Sequence, residues 1–267
     1  MSTDLRPLST GELLDKAFSI YRSHFLLFAG IAAVANIFPL FLQLFLGLAG
    51  VATNSAAAGG ISVLALLIGA LGALVAAALA QGATVYGVSA IHLGNTISIR
   101  DSFRQVKGKT GRIVLINIGV GIIVGLGFLL FVIPGLIWLA SYALAIPAAA
   151  LENLSANDSL SRSKRLSEGG RLRILAVYLL VYILQFGMQW VFATMEQLAI
   201  SVQPKNATGL TISYLFTLVS QFGVNTLVFP LLTVAMVLVY YDQRVRKEAF
   251  DIEHMMQTLN KASAAGA

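Results

Sequence analysis

The sequence predicts an all-α integral membrane protein with six transmembrane helices, arranged as three units of one amphipathic interfacial helix plus one helical hairpin. Three observations predict it. The 267 residues are 57% hydrophobic and only 11% charged, less than half the roughly 25% charge of a typical soluble domain. That is more apolar surface than a folded interior can hide, so lipid must cover part of it. The apolar residues fall into six runs separated by polar segments, and the cations are spread very unevenly among those segments.

In chain order, residues 1–24 form a cytoplasmic amphipathic segment ahead of an apolar run at 25–48. That run is longer than the 7–15 apolar residues of a cleavable signal, so it is a retained first span. Asn36, Pro39 and Gln43 lie within it. After a small-residue stretch at 51–60 comes a second run at 61–93. Its ~50 Å helical length at ~1.5 Å per residue exceeds the ~30 Å hydrocarbon core, which requires tilt or protrusion. A third run at 113–133 meets Pro134-Gly135, a turn signal with almost no loop. The fourth, at 136–151, is short for a full crossing, which leaves open a hairpin that returns before the far side. The fifth starts after residue 173 and ends near Met195, and the loop around Pro204 and Lys205 follows. The sixth, 210–241, contains Pro230. The membrane domain is thus 25–241, with basic segments at 94–112 and 152–173 and a polar tail at 242–267.

Charge sets the orientation. Three Lys and Arg precede the first span, five lie between Arg100 and Arg112, five between Arg162 and Arg173, and four in the tail, leaving Lys205 alone on the other side. The positive-inside rule places both termini and both basic segments in the cytoplasm. The formal charge of +6 belongs to membrane-flanking segments, which favours anionic phospholipid over nucleic acid as partner.

The spacing Ser/Thr-x-x-Asp/Glu, a helix-start signature, occurs at Ser9/Glu12, Ser98/Asp101 and Ser155/Asp158. Each match opens a basic-side segment leading into an apolar pair, and each has an apolar residue five positions after the serine: Leu14, Phe103 and Leu160. This predicts an internal repeat of three units. In the second, a helix places Ile99, Phe103 and Val106 on one stripe with Arg100, Asp101, Arg104 and Lys107 elsewhere, suited to a membrane surface.

Leu5-Arg6-Pro7-Leu8, Gly11 to Phe18 and Tyr21 to Phe25, together with Ile133-Pro134-Gly135-Leu136 and Tyr240-Tyr241-Asp242-Gln243-Arg244-Val245-Arg246-Lys247-Glu248, resemble the bacterial glycerophosphoryl diester phosphodiesterase membrane-domain family. In some members this region is fused to a soluble phosphodiesterase barrel. Here about 26 residues follow the last span, so the resemblance implies the membrane part without barrel or activity.

No catalytic constellation emerges: His24, His92 and His254 are far from second ligands at metal spacing. The expectation is a non-enzyme without metal or cofactor, with His24 and His92 as interfacial caps. Gly121 and Gly125 form a Gly-x-x-x-Gly pair, the mark of close helix packing in an apolar run. Two features are candidates for function. Ten cations, Arg100, Arg104, Lys107, Lys109, Arg112, Arg162, Lys164, Arg165, Arg171 and Arg173, form a surface for lipid headgroups, worth ~1 kcal/mol each near an anionic leaflet, beside their role in topology. A polar stripe runs along the fifth span through Tyr178, Tyr182, Gln185, Gln189 and Glu196. It is matched by Tyr214, Thr217, Gln221 and Asn225 on the sixth and by Asn36 and Gln43 on the first. Polar groups avoid lipid, so these rows predict a cleft for a headgroup or small solute. The plain alternative is interhelical hydrogen bonding worth ~0.6 kcal/mol per pair.

The leading expectation is a protein that binds, organises or moves anionic lipid through its interfacial helices; the rival is a small-solute transporter or channel using the cleft. Membrane phospholipids are the expected partners, and a homo-oligomer or partner membrane protein is compatible with the same pattern.

Overall fold

The computed structural model describes residues 7–52, 58–202 and 207–248. These form eleven helices and no strand. The first three are α1 (Thr10–Ser23), α2 (Phe25–Ala52) and α3 (Ala58–His92). Next come α4 (Ile99–Val106), α5 (Thr110–Leu130), α6 (Val132–Tyr142) and α7 (Ala145–Leu151). The last four are α8 (Ala156–Ser167), α9 (Arg171–Val202), α10 (Ala207–Leu227) and α11 (Phe229–Glu248). Six stretches are long and apolar enough to cross a membrane: Phe25–Phe45, Leu67–His92, Thr110–Leu130, Val132–Leu151, Arg171–Leu198 and Thr211–Glu248. The protein is an all-α, multi-pass membrane protein. The small-residue linker at 53–57, the Pro204–Lys205 loop and the tail beyond Glu248 lie outside the described residues.

The three serine-acid pairs cap three short amphipathic helices, α1, α4 and α8. Ser9 Oγ accepts from Glu12 N–H at 3.2 Å while Glu12 reaches back to Ser9 N–H at 2.7 Å. Ser98 and Ser155 accept from Asp101 and Asp158 N–H in the same way, at 3.1 and 3.2 Å. The shorter aspartates bond the serine hydroxyl instead of the backbone, each at 2.6 Å. Gly108 and Gly169, at φ +83° and +75°, follow the ends of α4 and α8. A left-handed residue just past a helix end is where glycine avoids a Cβ clash. Each of α1, α4 and α8 precedes a pair of apolar stretches.

The turn between the third and fourth stretches sits three residues earlier than expected. α5 ends at Leu130, and Phe131 alone is extended, at φ −162° and ψ 158°. Pro134 and Gly135 lie inside the first turn of α6, where a proline costs nothing because that turn's N–H groups have no helical partner. The close packing expected at Gly121 and Gly125 occurs instead at Gly127. A Cβ on either would meet nothing, whereas one on Gly127 would lie 2.8 Å from Gly135 Cα. Helices α6 and α7 together span 20 residues, or ~30 Å, and pair with α5 along its length through Ile116, Ala145 and Ala149.

The break between α6 and α7 leaves buried backbone groups that Ser163 of α8 satisfies. Its hydroxyl accepts from Leu144 N–H at 3.0 Å and donates to Ser141 C=O at 2.8 Å. Val228 alone separates α10 from α11, and Pro230 sits in the first turn of α11.

The buried core lies at the basic end. α11 is its axis: Val234 to Tyr241 are all buried, against Ala83, Val85 and Val88 of α3, Ala148 of α7 and Ile174 and Val177 of α9. The basic half of α3 is therefore packed inside the protein. His92, in the last turn of α3, is buried, its ring 5.0 Å from that of Tyr241. Toward the other end large apolar side chains point outward on α2, α3, α5 and α9, among them Phe41, Phe45, Leu71, Ile122, Leu129, Ile183 and Phe186. Lipid is the solvent such a belt requires.

Candidate functional site

At the basic end nine of the ten candidate cations separate into two groups, and Arg171 stands apart from both. Arg162 bonds Glu152 through Nε at 2.8 Å and Glu248 through both terminal nitrogens. The hydrogen bonds that Arg162 donates to Glu248 and Glu152 hold its guanidinium above its ordinary pKa against the opposing effect of burial. Arg173 bonds Asp242 at 2.6 Å and Leu8 C=O at 2.6 Å. Arg112 donates to Ala149 C=O at 2.9 Å and Asn153 Oδ1 at 3.1 Å. Lys109 donates to Tyr86 OH at 2.6 Å, which in turn donates to Ala150 C=O at 2.6 Å. Arg112 and Tyr86 thus cap the C-terminal carbonyls of α7, which have no helical partner. These four cations are committed to internal bonds. Arg171 is half-buried, its Nε without a partner.

The other five, Arg100, Arg104 and Lys107 on and just after α4 and Lys164 and Arg165 on α8, are exposed, and their side chains make no bond among the described residues. α4 lies across α2 and α3 well inside their basic ends. A Cβ on Gly30 would meet Ile99 at 2.5 Å, and one on Gly82 would meet Val106 at 3.0 Å. Ser102 and Val106 are fully buried, and Phe103 stands at the edge of that buried face. Phe103 closes one end of an apolar groove of about 510 Å³ whose walls are Val34, Ala35 and Phe38 of α2 and Ile68 to Leu79 of α3. From Phe103, Lys107, Arg100 and Arg104 follow around the helix within about 100°, while Asp101 and Gln105 lie on the opposite side. From Leu79 to Ile68 the groove runs about 16 Å, half the ~30 Å hydrocarbon core.

The polar stripes meet at the other end, between α2, α9 and α10. Gln189 and Glu196 of α9, with Thr217, Ser220, Gln221 and Asn225 of α10, line an open cleft of about 340 Å³ together with Phe192, Ala193 and Val224. A smaller recess beside it shares Gln221 and Asn225 and is lined by Asn36, Pro39, Leu40 and Gln43 of α2. Thr217 Oγ1 donates to Glu196 Oε1, and Tyr214 OH to Gln43 C=O. Asn36 turns back on its own helix, donating to Ala32 C=O at 2.9 Å.

Three members of the expected stripe stay out of both spaces. Tyr178 and Tyr182 stack on each other with ring centroids 5.9 Å apart, nearer the basic end, and Gln185 lines neither cavity. Ser220 and Phe192 complete the wall without having belonged to the polar rows. The interhelical carboxamide bond from Asn117 to Gln81, 3.1 Å across α5 and α3, was also missed, since Asn117 is the lone polar residue in its run and so forms no row. Among the described residues no three His, Asp or Glu side chains cluster to hold a metal. No family model, curated protein or solved structure matches the chain.

Proposed function

We propose that the protein is a non-enzymatic bacterial inner-membrane protein, with both termini cytoplasmic, that engages anionic phospholipid through its interfacial helices. Kinship with the glycerophosphoryl diester phosphodiesterase membrane-domain family and descent of the three units from one repeat belong to the same proposal. The sidedness of the cations supports the orientation. One observation carries the lipid reading: the unpaired cations Arg100, Arg104 and Lys107 flank Phe103 where it closes the apolar groove of α2 and α3. A phosphate at those cations and an acyl chain along the groove match an anionic phospholipid in the cytoplasmic leaflet, in both charge and depth. Lys164 and Arg165 offer a second set of headgroup contacts on α8.

Native mass spectrometry of the purified full chain with phosphatidylglycerol tests the reading. Wild type retains phosphatidylglycerol over phosphatidylcholine. The variant Arg100→Gln/Arg104→Gln/Lys107→Gln loses that preference, and Val75→Trp, which fills the groove, lowers occupancy with the cations intact. Undiminished phosphatidylglycerol retention in a variant neutralised at all five exposed positions overturns it.

A further inference from the structure

The cavity between α9 and α10 has a chemistry different from that of the basic end. Its wall holds one carboxylate, Glu196, two hydroxyls, Thr217 and Ser220, and three carboxamides, Gln189, Gln221 and Asn225. No Lys or Arg among the described residues lines it. The Thr217 hydroxyl fixes one Glu196 oxygen, while Oε2 makes no bond among the described residues. The three carboxamides also make no hydrogen bond among the described residues, and polar groups left unmet in hydrocarbon are costly. Phe192 places an aromatic ring on the same wall, a surface that attracts cations. The volume falls in the range of small-molecule sites and is generous for a bare metal ion facing one carboxylate. Glu196 is also 23 residues beyond Arg173, about 35 Å along α9, so the arginines of the basic end do not neutralise it.

We propose that this cleft binds a small organic cation, an alkylammonium group, with Glu196 as its counter-charge, the carboxamide oxygens as further acceptors and Phe192 as an aromatic wall. The ammonium group can belong to a free amine or to the headgroup of phosphatidylethanolamine. The two sources share the same recognition chemistry. The site is separate from the lipid reading at α4, and either can fail without the other.

Isothermal titration of the full chain in nanodiscs of an uncharged, ammonium-free galactolipid, digalactosyldiacylglycerol, with n-butylammonium chloride, and with sodium butyrate as the charge-reversed control, tests it. Wild type binds butylammonium saturably and butyrate not at all. Glu196→Gln, which keeps the shape and removes the charge, weakens butylammonium binding about tenfold or more. Ala193→Phe, which narrows the cavity and leaves the carboxylate in place, weakens it as well. Adding phosphatidylethanolamine to the nanodiscs either competes with butylammonium, which assigns the lipid source, or leaves binding unchanged, which assigns a free amine; both uphold the site. Equal binding of butylammonium and butyrate, absence of butylammonium binding to wild type, or unchanged binding in both variants overturns it.

Discussion

Leu8 and Asp242, 234 positions apart in sequence, are joined by a 2.8 Å hydrogen bond from the Leu8 N–H to Asp242 Oδ1. The other carboxylate oxygen takes Arg173 at 2.6 Å and Arg246 at 2.9 Å, and both arginines return to Leu8 C=O at 2.6 Å. The four residues form a closed ring that fastens the segment before α1 to α9 and α11. Asp242 is only 1% exposed at its side chain, so its charge depends on these partners rather than on water.

Removing one member of a buried ion pair strands the other. Asp242→Ala is therefore expected to lower stability by about 3–5 kcal/mol, read as the shift in an SDS-unfolding midpoint of the purified protein. The double variant Asp242→Ala/Arg173→Met should cost less than the two single changes combined, because the second substitution removes a charge already stranded by the first. Strict additivity would show that the ring does not act as a unit.

Ser163 satisfies both the donor and the acceptor left open where α6 gives way to α7. Ser163→Ala leaves Leu144 N–H and Ser141 C=O without this hydroxyl in a buried site, with Ser167 reaching Ser141 only at 3.3 Å. The expected loss is about 1–3 kcal/mol. Ser161→Ala, at an exposed position on the same helix, should stay within about 0.5 kcal/mol of wild type. The same unfolding titration compares the two.

The large features were legible because each rests on local composition. Six apolar runs, three serine-acid caps and the meeting of polar rows at Gln189, Glu196, Gln221 and Asn225 all follow from period and spacing within one element. What escaped depends on residues remote in sequence. Arg162 and Arg173 read as free headgroup ligands because their partners, Glu248 and Asp242, lie 86 and 69 positions away. Pro134-Gly135 read as the turn because the same dipeptide serves a turn and a first helical turn equally well. The Tyr178–Tyr182 stack fell out of the cleft although its register matched. Period fixes a face of α9, but that face meets different neighbours at its two ends.

The contact of Gly127 with Gly135 makes a sharp prediction within one helix. A Cβ at position 127 would sit 2.8 Å from Gly135 Cα and 2.7 Å from the Trp138 ring, and backbone cannot move aside cheaply. Gly127→Ala is expected to destabilise the α5–α6 pair by about 1–3 kcal/mol, the range for overpacking. Gly125→Ala meets open space and gains helix propensity, worth up to ~1 kcal/mol. Opposite signs for the two substitutions in the unfolding titration are the expected result.

The division of the basic segment predicts that stability and lipid affinity respond to different residues. Arg112 holds Ala149 C=O and Asn153, so Arg112→Gln should cost about 1.5–3 kcal/mol of stability, the worth of charged hydrogen bonds, while leaving phosphatidylglycerol retention close to wild type. Arg104 is exposed and its side chain makes no bond among the described residues. Arg104→Gln should leave unfolding unchanged and weaken binding to anionic lipid by about fivefold, the equivalent of ~1 kcal/mol per cation near the leaflet. Raising salt should shrink the Arg104 effect by screening an exposed charge, and should touch the Arg112 effect far less, because its bonds are partly buried. If both substitutions moved lipid retention alike and neither moved stability, the distinction between committed and free cations would fail. The α4 surface would then be one undifferentiated patch of charge.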